Sequence, residues 1–153
     1  MNYLELQTIF VSPDQPNLQQ LQRWVDSALE GIGHDTEIVI RIVDEQESQA
    51  LNEQYRHKQG PTNILSFPVD VPDGIELDLL GDLVICAPVV AKEALEQQKA
   101  LMDHWAHIVI HGVLHLLGYD HIDDSDADEM ESKEIALLKQ LHINNPYLLV
   151  NDE

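Results

Sequence analysis

The sequence predicts an α+β fold, an α/β-type sandwich in which a mixed sheet of about four strands packs on about five helices. Three observations predict it. Short β-branched runs such as Ile38-Val39-Ile40-Arg41-Ile42-Val43 read as buried strands. Other segments, such as Leu18, Leu21, Trp24, Val25 and Leu29, repeat apolar residues at three- and four-residue spacing and read as amphipathic helices. The two kinds alternate along 153 residues that are 44% apolar, with no internal repeat or low-complexity linker, so one domain over residues 1–153 is expected.

Tyr3 to Val11 alternates as a first strand and Ser12-Pro13 ends it. The helix from Leu18 follows and is stopped by Gly31 and Gly33. Glu37 to Val43 is the second strand, and Asp44 is placed to cap a short helix through Tyr55. Arg56 to Pro61 reads as a loop and Asn63 to Phe67 as a third strand. Val69 to Leu80, rich in Pro, Gly and Asp, reads as a hairpin-like connection to a fourth strand, Gly81 to Cys86. Pro88 suits the first turn of a helix reaching about Leu101. Asp103 is a candidate cap for the next helix, and Ser125 for a last one through Leu141 with Ala127, Met130, Ile135 and Leu138 on its apolar face.

Composition narrows the function classes. The N-terminal segment has no basic region or apolar core of a signal peptide, and the longest near-apolar stretch, Ile108 to Leu117, is too short for a membrane span. The one cysteine, Cys86, ends an apolar run; it fits a buried strand position and a reducing cytoplasm. The formal net charge is −20, opposite to the usual footprint of a nucleic-acid protein. That charge is uneven. Eight acids crowd Asp120 to Glu134 and read as a solvated face, whereas Arg56-His57-Lys58 is a compact basic cluster.

The richest stretch is His111-Gly112-Val113-Leu114-His115-Leu116-Leu117-Gly118-Tyr119-Asp120-His121. Imidazoles four residues apart share one helix face. Gly118 can end the helix in a left-handed cap and turn the chain so that a third imidazole returns. His111, His115 and His121 are therefore candidate metal ligands at the C-terminal end of one helix and the following loop, with a fourth zinc position left for water. A competing pair, His107 with His111, has the same spacing. His107 is assigned to a supporting hydrogen bond, because only the later pair adjoins the turn to His121. Asp120 either orients a ligand imidazole or makes a local Asx bond.

The spacing matches the zinc-protease pattern H-E-x-x-H-x-x-G-x-x-H except that Gly112 stands where those enzymes carry the glutamate that accepts a proton from water. Peptide hydrolysis is thereby disfavoured, while hydrolysis of another ester remains open. Arg56 offers a planar fork of donors suited to phosphate. Asp82, at the head of an apolar strand, is either a turn residue or a site carboxylate.

Three blocks carry a resemblance. Leu51-Asn52 through Tyr55-Arg56 to Pro61-Thr62-Asn63-Ile64-Leu65-Ser66-Phe67-Pro68, then Gly81-Asp82-Leu83-Val84-Ile85, then His111 to His121, occur in the order seen in the bacterial YbeY family. Members are described as zinc-dependent endoribonucleases and rRNA maturation factors. The resemblance implies one Zn2+ at His111, His115 and His121 and a catalytic arginine at Arg56. It also implies single-strand-specific cleavage at the 3′ end of small-subunit rRNA, and cytoplasmic work with the ribosome and protein partners on it. A ribosome-assembly protein with a structural zinc is the alternative from another class. Gln59 and Asn63 stand where acids are expected, which removes negative charge beside a phosphate site.

Overall fold

A computed structural model describes residues 1–69, 78–119 and 124–147. Its elements run β1 (Asn2–Thr8), α1 (Leu18–Ala28), β2 (Thr36–Val43), α2 (Glu45–Arg56), β3 (Ile64–Pro68), β4 (Leu79–Cys86), α3 (Ala87–Glu96), α4 (Leu101–Leu116) and α5 (Asp124–Gln140). The sheet order is β1-β2-β4-β3. β1, β2 and β4 are parallel neighbours, and β3 closes the edge antiparallel to β4. This is the mixed four-stranded sheet with five helices that the alternating patterns predict.

Strand side chains alternate between faces, so each strand feeds two layers. Ile38, Ile40 and Ile42 of β2 join Ile64 of β3 and Leu83 and Ile85 of β4 in the large core against α1, α4 and α5. Leu65, Val84 and Cys86 point the other way and pack with Val43, Leu51, Phe67 and Val89 in a smaller cluster on the α2 side. Cys86 is buried there, as its apolar run predicts. α4 lies in the middle of the large core, with Trp105, Val109, Ile110, Val113 and Leu114 almost fully buried. Beyond its first turn the half-buried residues of α4 are His107, His111 and His115.

Several boundaries differ from the sequence expectation for local reasons. β1 ends at Thr8 rather than Val11, because the amides of Ile9 and Phe10 both donate to the Ile42 carbonyl, at 2.9 and 3.1 Å, and the chain leaves the sheet. α2 runs one residue past Tyr55, which puts Arg56 on the last helical turn instead of in a loop. α3 stops at Glu96 and not near Leu101. Gln98 there takes a left-handed conformation (φ 55°), and Lys99 N–H donates back to Ala94 O at 2.9 Å, so the stop is made without the glycine that would announce it. α4 is preceded by Ala100, with Asp103 inside its first turn beside the positive end of the helix dipole. α5 begins at Asp124, placing Ser125 within the helix. Asp44 caps α2 as expected, accepting from Glu47 N–H at 2.9 Å. The connection at residues 70–77 lies outside the described residues, and among those described no helix is long and apolar enough to cross a membrane.

Candidate active site and metal centre

Arg56 owes its position to two polar residues one turn apart on α2. Ser48 Oγ donates to Thr62 O at 2.9 Å and accepts from Thr62 N at 3.0 Å, and Asn52 Nδ2 donates to Gly60 O at 2.9 Å. Both residues are buried. They tie the turn after α2 back onto the helix that carries the arginine. His57 makes that turn possible by adopting a left-handed conformation as the C-cap. Arg41 is held bidentately by Glu47, with Nε at 2.5 Å and Nη2 at 3.1 Å from its two oxygens. Arg56, by contrast, has no ion pair among the described residues.

Tyr55 and Arg56 line a cleft of about 510 Å³ together with β3 residues Ile64 to Phe67 and with His111 and His115 of α4. The sequence places Arg56 and these histidines 55 and 59 residues apart; the fold puts them on one cavity. Asp82 is exposed on β4, opposite Phe67 in the ladder, and does not line this cleft.

The α4 stripe is ordered by a residue from α5. Glu134 Oε1 accepts from His111 Nδ1 at 2.6 Å, and Glu134 Oε2 accepts from His107 Nε2 at 2.7 Å and from the Tyr147 hydroxyl at 2.5 Å. Glu134 is fully buried, which corrects its assignment to a solvated acidic face. The signal for it is present in the sequence: Glu134 sits four residues from both Met130 and Leu138, on the apolar stripe of α5. Burial pushes its carboxyl upward, yet the hydrogen bonds from His107 and His111 outweigh that and hold it at about 2. The same burial lowers His107 below the ordinary imidazole value. Tyr147 is driven upward by burial and by its bond to Glu134. The group is therefore an ionised carboxylate facing three donors.

His107, His111 and Glu134 together place three ligand-type atoms within 4.8 Å of one another, a set able to hold a metal ion. Their hydrogen bonds give the donor set a definite division. A carboxylate that takes the Nδ1 proton of His111 fixes the tautomer in which Nε2 is the ligating nitrogen. That Nε2 faces Nε2 of His115 at 3.1 Å on the cleft wall. Two imidazole nitrogens on one tetrahedral zinc lie about 3.3 Å apart, given Zn–N lengths of about 2.0–2.1 Å. The facing pair thus fits a shared metal, with Glu134 behind it. His121 and Asp120, the other expected site residues, lie outside the described residues.

Two further features surround the site. α4 ends as a Schellman turn at Gly118 (φ 102°), with Gly118 N–H to His115 O and Tyr119 N–H to Leu114 O, both 3.0 Å. At Gly112 a Cβ would stand 2.5 Å from Ile64 Cδ1 and 2.9 Å from Leu83 Cδ2. The position where zinc proteases carry a glutamate is here the contact between α4 and the sheet. A glutamate side chain there would be driven into the apolar core and away from the cleft.

Comparison with known proteins identifies relatives of the chain. The family profile described as "Endoribonuclease YbeY" matches residues 8–142. The chain is 56% identical over 149 residues to the "Endoribonuclease YbeY" of Colwellia psychrerythraea, covering 95% of this chain and 96% of that protein. It is 57% identical over 139 residues to the protein of the same description from Alteromonas mediterranea, covering 90% and 87%. Among solved structures, TM1509 from Thermotoga maritima superposes with a TM-score of 0.65 at 27% identity, over 92% of this chain and 89% of that one. With a four-stranded mixed sheet, a histidine-bearing central helix and this breadth of identity, the chain belongs to the YbeY family.

Proposed function

We propose that the protein is a metal-dependent endoribonuclease that hydrolyses single-stranded RNA in the maturation of rRNA, acting at the 3′ end of the small-subunit rRNA. The observation that carries the reading is the cleft joining Arg56 to His111 and His115, in a chain whose relatives are described as endoribonucleases. His111 and His115, with His121, would hold one Zn2+, since imidazole donors suit that ion. When bound, the ion supplies Lewis acidity toward a phosphoryl oxygen and a water whose pKa falls to about 7.

The chain's own residues supply the rest. Glu134 fixes the orientation of His111, and His107 and Tyr147 fix Glu134. Arg56, with no competing carboxylate among the described residues, grips the scissile phosphate through its planar fork and stabilises the charge that develops on it. Among the described residues, the cleft wall adds no carboxylate of its own to repel that phosphate. With a net charge of −20, the protein reaches RNA in the cytoplasm by docking on the ribosomal small subunit and its proteins, not by long-range attraction.

The test compares metal content and RNA cleavage for the unmodified protein, His115→Ala and Arg56→Ala. His115→Ala loses both metal and cleavage. Arg56→Ala keeps the metal and loses about 10²–10³-fold in kcat, the usual cost of one transition-state donor. Equal cleavage by all three proteins would sink the proposal.

A further inference from the structure

The cleft has an aromatic wall that metal and phosphate chemistry leave unused. Tyr55 immediately precedes Arg56 on the last turn of α2, and both line the cleft. Tyr55 is 56% exposed. The ring is nonetheless held in place: it packs edge-to-face on Phe67, with centroids 5.2 Å apart and planes at 76°. Whichever ring presents its edge, Phe67 covers at most one face of Tyr55. An exposed aromatic ring lining a cleft is the element on which proteins stack unpaired bases.

Electrostatics makes the contact necessary. Proteins usually gain RNA affinity by neutralising several phosphates and releasing counterions. Among the described residues lining the cleft, Arg56 is the one Lys or Arg side chain, in a chain of net charge −20. Uncharged contacts must carry a larger share of the binding, and Tyr55 with its Phe67 support is the apolar surface adjoining the phosphate-gripping residue. Resting on the endoribonuclease reading, we infer that Tyr55 forms a nucleobase subsite, stacking one unpaired base next to the nucleotide whose phosphate Arg56 holds. A base within a duplex is already stacked on both sides and cannot enter, so the subsite also selects single strands.

A short single-stranded RNA carrying 2-aminopurine, whose fluorescence falls on stacking, tests this directly. The wild-type protein quenches the probe. Tyr55→Ala abolishes the quenching and weakens binding and KM about 5- to 100-fold, the range expected for one base–aromatic stack, while kcat is kept. Tyr55→Phe and Tyr55→Trp restore both. An otherwise identical strand without bases binds the wild type and Tyr55→Ala alike. Wild-type quenching and affinity in a Tyr55→Ala protein with native circular dichroism would overturn the inference. So would a loss in Tyr55→Phe equal to that in Tyr55→Ala, which would assign the effect to the hydroxyl. If the wild type cleaves no RNA, the endoribonuclease reading fails, and the quenching series still decides the stacking.

Discussion

Glu134 of α5 holds Nδ1 of His111 at 2.6 Å across 23 residues of sequence, and this contact sets which nitrogen of the histidine looks into the cleft. A glutamine at this position presents an amide N–H₂ to one of the three donors that now converge on the carboxylate. Glu134→Gln is therefore expected to lower metal affinity about 10- to 100-fold. Competition with a chelating dye measures it, and unchanged affinity would show that the carboxylate is structural only.

Tyr147 supplies the third donor to the same carboxylate. Tyr147→Phe removes one hydrogen bond to a buried charge and is expected to cost about 1.5–3 kcal/mol of stability. Urea denaturation reads it, with Cm falling and m unchanged.

Glu93 gives the protein an acid-sensitive joint between α3, α4 and the start of β3. Its carboxylate meets His104 Nε2 at 3.0 Å and Asn63 Nδ2 at 3.1 Å. Burial raises the carboxyl, but the bonds from His104 and Asn63, with the nearby charge of His104 and His107, lower it overall from its ordinary 4.5. A depressed carboxyl contributes stability that is present above 4.5 and is lost as pH falls through the lowered value. Glu93→Gln should therefore flatten the loss of stability below that pH, measured as urea midpoint against pH. A slope as steep as the wild type's would reject the assignment.

Gly112 tests the packing of α4 on the sheet. An alanine Cβ would meet Ile64 and Leu83 side chains at 2.5 and 2.9 Å. Overpacking costs about 1–3 kcal/mol, against up to about 1 kcal/mol gained in helix propensity. Gly112→Ala is expected to lower Tm by several degrees, and Gly112→Glu to lower it further without producing peptidase activity.

Ser48 links fold to catalysis. Ser48→Ala removes the partner of the half-buried N–H and C=O of Thr62 and should cost about 1–3 kcal/mol. Because the same bonds tie the turn beside Arg56, RNA cleavage should fall while metal content stays. A stability loss with wild-type cleavage would separate the turn from the arginine.

The local signals are those the sequence carries well. Apolar periodicity locates β2, α1 and α4, Asp44 marks the start of α2, and Gly118 marks the end of α4, because each depends on residues within one or two turns. Gln98 shows the limit: a non-glycine residue takes the left-handed stop of α3, and periodicity alone runs the helix on to Leu101. Glu134 shows a different limit. Charge counting assigns it to solvent, whereas its place on the apolar stripe between Met130 and Leu138 is the signal that it is buried.

The sequence by itself determined the mixed α+β architecture, the histidine stripe, the absence of the protease glutamate and the family. These follow from spacing, residue type and identity along the chain. Only the tertiary structure decided that Arg56 and Tyr55 share a cleft with His111 and His115, that Glu134 reaches His107 and His111 from α5, and that Gly112 is a packing contact. Each of these depends on side chains brought together from separate elements. Hydrogen bonding and core packing select those meetings through the sheet order and the seat of α4 upon it, neither of which is written in any single stretch of residues.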